Sequence, residues 1–65
     1  MEIGVIKISD ILKIIGGRIK QFRKSKKLSQ EELAFMASVD PTHLGRVERG
    51  ESNCSIEMLD KLLKA

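Results

Sequence analysis

Cysteine, proline and histidine occur once each in these 65 residues. A lone cysteine, Cys54, cannot close an intramolecular disulfide. Together with a lone histidine, His43, it cannot build a four-ligand zinc site. No stretch reaches the roughly 18 apolar residues that a membrane span requires. The start of the chain does not read as a secretory signal, because Glu2 and Asp10 are acidic and Lys7 and Lys13 interrupt the apolar run. These absences favour a cytoplasmic protein. Internal repeats, low-complexity tracts and a glycine-rich phosphate loop are also missing. Glu31, Glu32, Glu57 and Asp60 have no organised acid–base arrangement around them, so an enzyme is not expected, nor is a cofactor or metal. So short a chain forms one small domain at most and buries a modest fraction of its surface. Its stability must come from compact helix packing or from a second copy.

What is present is a positive surplus and a set of helix signals. Twelve basic residues stand against nine acidic ones, a net charge of +3. Arg18, Lys20, Arg23, Lys24, Lys26 and Lys27 crowd into one short stretch with no acid among them. Such a block either meets a polyanion or forms a solvated helix face.

Ile3, Val5, Ile6 and Ile8 are β-branched and suit an extended segment. Ser9 or Asp10 then caps a helix that begins at Ile11. Gly16-Gly17 either breaks that helix or leaves a weak spot in it, since an interior glycine costs about 1 kcal/mol against alanine. Ile15, Ile19 and Phe22 form one helical stripe, and Lys26-Lys27 closes the helix at the negative end of its dipole. Ser29 to Glu32 has the form of a capping box, so a second helix starts at Gln30 with Leu33, Ala34 and Ala37 inward. Val39 plugs the corner that follows. Asp40-Pro41 starts a third helix, because aspartate caps and proline suits the first helical position. Leu44 and Val47 face inward, and Gly50 ends the helix. Ser55 caps a last helix that buries Ile56, Leu59, Leu62 and Leu63.

A short helix, a tight turn and a second short helix make the helix-turn-helix pattern. Ala34, Val39, Leu44 and Val47 pack the two helices across each other. Pro41, Thr42, Gly45, Arg46 and Arg49 are left facing outward, and such a helix can enter the major groove of DNA. From about Ile15 to Ala65 the sequence resembles the lambda-repressor/Cro-type regulators, the Xre family. The likeness is carried by "LSQEELA", by "ERG" after the third helix and by the "SIEMLDKL" helix. The third helix, with Asp40, Thr42, Leu44, Glu48 and Arg49 at their spacing, is similar to that of the controller proteins of restriction–modification systems.

The resemblance implies roles. Gln30 would touch a DNA phosphate and brace the third helix, where the amides and dipole of a helix N-terminus already attract anions; otherwise it is an ordinary exposed first-turn residue. Ser29, Lys27, His43, Arg49 and Asn53 would also contact the DNA backbone. The competing readings are a packing role at the helix rim for His43 and a solvated loop for Arg49 and Asn53. Thr42 and Arg46 are the candidates for base contact. Arginine can read guanine O6 and N7 with two hydrogen bonds; alternatively Arg46 contacts phosphate or pairs with Glu57 or Asp60. Arg23 and Glu48 would form a partly buried ion pair that orients the third helix, or else a surface pair worth under about 1 kcal/mol. The chain departs from the family at Ser38, where glycine is usual in the turn, and at Gly45, where a larger polar residue is usual. Gly45 removes one base contact or lets DNA come close.

The expected fold is therefore all-α: a compact bundle of four to five short helices containing a helix-turn-helix. Residues 1–14 are expected to be an apolar N-terminal extension, strand or helix, and residues 15–65 the DNA-binding domain. The family often makes its dimer contact with a fifth helix. No such helix is clear here, so the isoleucine-rich extension is the expected dimer contact. The expected partners are double-stranded DNA and a second copy. The alternative is an antitoxin-like or other protein-binding module on the same fold.

Overall fold

The computed structural model describes residues 7–65. Four helices follow in order: α1 (Ile8–Ser25), α2 (Gln30–Ala37), α3 (Pro41–Glu48) and α4 (Ile56–Lys64). No strand occurs among the described residues. The extended segment expected over Ile3, Val5 and Ile6 lies outside them, whereas Ile8 opens α1.

Helix α1 therefore begins earlier than its cap signals suggest. Neither Ser9 nor Asp10 is the cap. Lys7 holds that place in an extended conformation and no side chain caps the helix. The Lys7 carbonyl accepts from the amides of Asp10 and Ile11 at 3.0 and 3.2 Å. Asp10 instead occupies the first turn, where its charge suits the helix dipole. The β-branched preference for strand is weak, and continuation from the helix beyond it prevails.

The helix runs through Gly16-Gly17 without a break. Gly16 is buried where α3 crosses: a Cβ there would collide with the carbonyl oxygen of Val47 and lie 2.8 Å from that of Glu48. The missing side chain thus lets the backbones of the two helices come into close contact here.

Helices α1 and α4 flank the α2–α3 pair, with α3 against α1 and α2 against α4. The core is Ile19 from α1, Leu33, Ala34 and Ala37 from α2, Leu44 and Val47 from α3, and Met58 and Leu62 from α4. Val39 packs against it from the corner. The burial expected of α4 needs correction. Ile56 is 86% exposed and Leu63 56%, while Met58 is buried. Helix α4 carries two apolar stripes, and Met58 with Leu62, one turn apart, is the one that faces inward.

Two turns use left-handed backbone without glycine. Lys27 (φ 59°) follows α1 and Ser38 (φ 58°) follows α2, whereas the turn after α3 has Gly50 at φ 76°. At the α2–α3 corner, the Val39 amide donates to the Ala34 carbonyl at 2.9 Å and the Ser38 amide to Phe35 at 3.2 Å. These bonds close the end of α2 and hold serine in a conformation that favours glycine.

Candidate nucleic-acid interface

Three caps fix where the short helices begin. Ser29 Oγ accepts from the Glu32 amide at 3.0 Å, and Glu32 Oε1 accepts from the Ser29 amide at 2.8 Å, which completes the capping box. Asp40 Oδ2 accepts from the His43 amide at 3.0 Å at the start of α3, and Ser55 caps α4 through the Met58 amide. The Ser29 amide holds the Glu32 carboxyl below its ordinary pKa.

Helix α3 is fixed from behind by a buried charge cluster. Arg23 Nε and Nη2 donate to the two carboxylate oxygens of Glu48 at 2.8 and 3.0 Å. The remaining Arg23 nitrogen, Nη1, donates to the Leu28 carbonyl at 2.8 Å. Gln30 Nε2 donates to Glu48 Oε1 at 3.0 Å. Arg23 is 8% exposed and Glu48 6%, and among the described residues no buried side-chain polar atom lacks a partner. A buried pair of charges is tolerable only when its remaining hydrogen-bonding capacity is met, as it is here. Burial pushes the Glu48 carboxyl upward. The hydrogen bonds from Arg23 and Gln30, with the Arg23 charge, outweigh it and hold the pKa below the ordinary glutamate value. The Glu48 hydrogen bond raises the Arg23 pKa against the effect of burial. One carboxylate thus ties together α1, the first turn of α2 and the end of α3.

The outer side of the α2–α3 pair holds a shallow notch lined by Gln30, Glu31, Pro41, Thr42, Gly45 and Arg49. Three of the expected DNA-contacting residues meet there: Gln30, Thr42 and Arg49. Arg46 is exposed on the same helix and forms no ion pair among the described residues; Asp60, one of its expected partners, pairs with Lys64 at 3.1 Å. Ser29 is exposed at the start of α2, while Lys27 and Asn53 are exposed outside the notch. His43 is half-buried and lines a different hollow with Ser38, Ser55 and Lys61.

Sequence reasoning missed Glu51. Its carboxylate accepts from Arg49 Nε at 3.0 Å on the exposed surface, and this bond holds its pKa below the usual value. An acid two residues beyond an arginine in a polar loop gave no particular signal.

The helix-turn-helix family profile matches residues 19–65. The chain belongs to the helix-turn-helix family. It is 36% identical over 58 residues to control protein C.BamHI of Bacillus amyloliquefaciens, covering 88% of this chain and 72% of that one. It is 46% identical over 50 residues to the HTH-type transcriptional regulator SinR of Bacillus subtilis, covering 75% of this chain and 45% of SinR. Its fold is similar to the crystal structure of the restriction-modification controller protein C.AhdI from Aeromonas hydrophila. That match has a TM-score of 0.80 and 41% identity, and covers 83% of this chain and 82% of that one. No helix among the described residues is long and apolar enough to cross a membrane.

Proposed function

We propose that this protein is a sequence-specific DNA-binding transcriptional regulator that reads the major groove with α3. The observation that carries the reading is the outward face of α3, with Thr42 and Arg46, presented by a helix locked from behind through Arg23 and Glu48. Thr42 and Arg46 contact base edges. Gln30, Ser29, Arg49, His43, Asn53 and Lys27 fix the register on phosphates. Gln30 is suited to this work because one amide N–H is committed to Glu48 and the other is left for an acceptor outside. No catalytic role is proposed.

The protein acts as a homodimer on two half-sites about 34 Å apart. The support is an apolar groove between α1 and α4, lined by Ile14, Ile15, Phe22, Leu59 and Leu63 among others, beside the exposed Ile8 and Ile11. Apolar surface gathered in this way marks an interface. The same face would serve a protein-binding module, which is the second reading.

Selection from random double-stranded DNA, followed by binding of the selected duplex across a salt series, tests the main reading. Affinity should fall steeply with salt as neutralised phosphates release counterions; failure to enrich any sequence would overturn the reading. Arg46→Ala should cost about 1–3 kcal/mol of specific affinity and relax the preference at one base pair. Unchanged selectivity would move Arg46 to the phosphates.

A further inference from the structure

Helix α1 carries one acid, Asp10, among five basic residues. Asp10, Ile14 and Arg18 stand four residues apart, so they share one row along the helix surface. All three are exposed, and neither Asp10 nor Arg18 forms an ion pair among the described residues. Ile14 and Arg18 line the groove between α1 and α4, together with Phe22 and Leu63. Toward the start of the helix, Ile8 and Ile11 carry the apolar surface further, 72% and 41% exposed. Gly16 and Arg23, which meet α3, lie roughly 160–180° around the helix from Ile14. The row therefore faces away from α3.

Such a row, an isoleucine with an acid one turn before it and a base one turn after it, complements itself in one orientation. In an antiparallel pair related by a two-fold axis at Ile14, the residue four places before Ile14 meets the residue four places after it. Asp10 of each copy then faces Arg18 of the partner subunit. A parallel pair would set acid on acid and arginine on arginine, and like charges across a contact are costly. We propose that a second copy of this chain covers the groove in this way: the two α1 helices pack antiparallel, Ile14 on Ile14, and two reciprocal Asp10–Arg18 pairs fix the register. The isoleucines supply buried apolar area and the charge pairs supply orientation. The arrangement lays Ile8 and Ile11 over the groove of the partner subunit, while α3, on the opposite side of α1, stays free. The inference rests on the homodimer reading and names the contact that makes it.

Sedimentation equilibrium of the full chain, wild type and charge-reversed, tests the register. Asp10→Lys should dimerise about tenfold or more weakly than the wild type, since it sets lysine against arginine at both ends of the contact. Arg18→Glu should weaken the dimer to a similar degree by setting glutamate against Asp10. An equimolar mixture of the two variants should recover the dimer. There the new lysine of one copy faces the new glutamate of the other, and Asp10 faces Arg18 at the far end. The double variant Asp10→Lys/Arg18→Glu should also dimerise nearly as well as the wild type. That recovery separates pairing from damage to the start of α1, which a second substitution would not repair. Single reversals that leave the dimer unchanged would overturn the inference, as would losses that neither the mixture nor the double variant restores. A wild type that stays monomeric at high concentration would remove the homodimer reading itself and leave the groove to another protein.

Discussion

Along helix α1, Arg23 is 8% exposed while Ile8 and Ile14 are 72% and 60% exposed. A single helix thus buries its arginine and Ile19 and leaves Ile8 and Ile14 largely exposed. The difference lies in what crosses each half. From Gly16 onward α3 lies against α1, and Glu48 meets the guanidinium with a paired carboxylate. Over Ile8 to Ile14 the isoleucine side chains stay 41–72% exposed among the described residues. Burial here follows the presence of a packing partner: the charged half of α1 positions α3, and the exposed isoleucines of the other half carry the proposed subunit contact.

The largest break in this contrast comes from removing the carboxylate. Glu48→Ala leaves Arg23 buried without its counter-charge, so it should destabilise the fold by about 3–5 kcal/mol. Urea denaturation measures it, and a loss below about 1 kcal/mol would reduce the pair to a surface contact. The pH dependence has a definite sign. The folded-state pKa of Glu48 is depressed, so its stabilisation is fully present above the ordinary glutamate pKa of about 4.3. It is lost as pH falls through the lower folded-state value. Acid unfolding of the wild type should therefore be steeper in that window than that of Glu48→Gln.

Two adjacent glycines separate the halves more finely. Gly16→Ala forces a methyl into the backbone of α3 and should cost about 1–3 kcal/mol, as overpacking does. Gly17 has nothing within 4 Å of where its Cβ would stand, so Gly17→Ala should stabilise by up to about 1 kcal/mol through helix propensity. Thermal melts of the two variants should shift in opposite directions. A shift of the same sign would mean that α1 and α3 do not meet at Gly16.

The legible parts of this fold were those written in local chemistry. The Ser29–Glu32 capping box, the Asp40-Pro41 start and the inward Leu33, Leu44 and Val47 follow from spacing within one helix. The Arg23–Glu48 pair, 25 residues apart in sequence, was legible through family resemblance, because local pattern cannot join residues so distant. The role of Gly16 was hidden because a glycine needed for close approach looks the same in sequence as one that merely weakens a helix. Ile56 and Met58 were exchanged for a similar reason. Helix α4 offers two apolar stripes, and only the position of α2 decides between them. At the candidate site, Gln30, Thr42 and Arg49 converge in one notch. Glu51 was overlooked because its bond to Arg49 depends on the turn at Gly50.

Ser38 offers a milder test of how far the corner is tuned. It is exposed and its φ of 58° puts a side chain where glycine is at ease. Ser38→Gly should stabilise by about 1 kcal/mol, the lower end of the strain of a left-handed L-residue, with little effect on DNA affinity. A loss of stability would mean that the serine makes up for its strain by limiting the unfolded chain.

The smallest effect on the subunit should come from the apolar half of α1, and it bears most directly on why the isoleucines are there. Ile14 is 60% exposed and lines the groove between α1 and α4 with Leu63. Lysine at this site stays in water, so Ile14→Lys should alter subunit stability by no more than about 0.5 kcal/mol, measured at dilutions where association is absent. Its effect on assembly should be large, because a charge placed in the centre of an apolar contact must be desolvated for two subunits to meet. Sedimentation equilibrium should give the mass of two chains for the wild type and of one for Ile14→Lys. A variant that remains dimeric would move the interface elsewhere, and a wild type that stays monomeric at high concentration would remove it. If the variant also loses affinity for a two-half-site duplex but keeps it for a single half-site, the exposed isoleucines and the buried arginine serve one purpose. The arginine holds α3 at the angle the groove needs, and the isoleucines hold the second α3 one helical turn away.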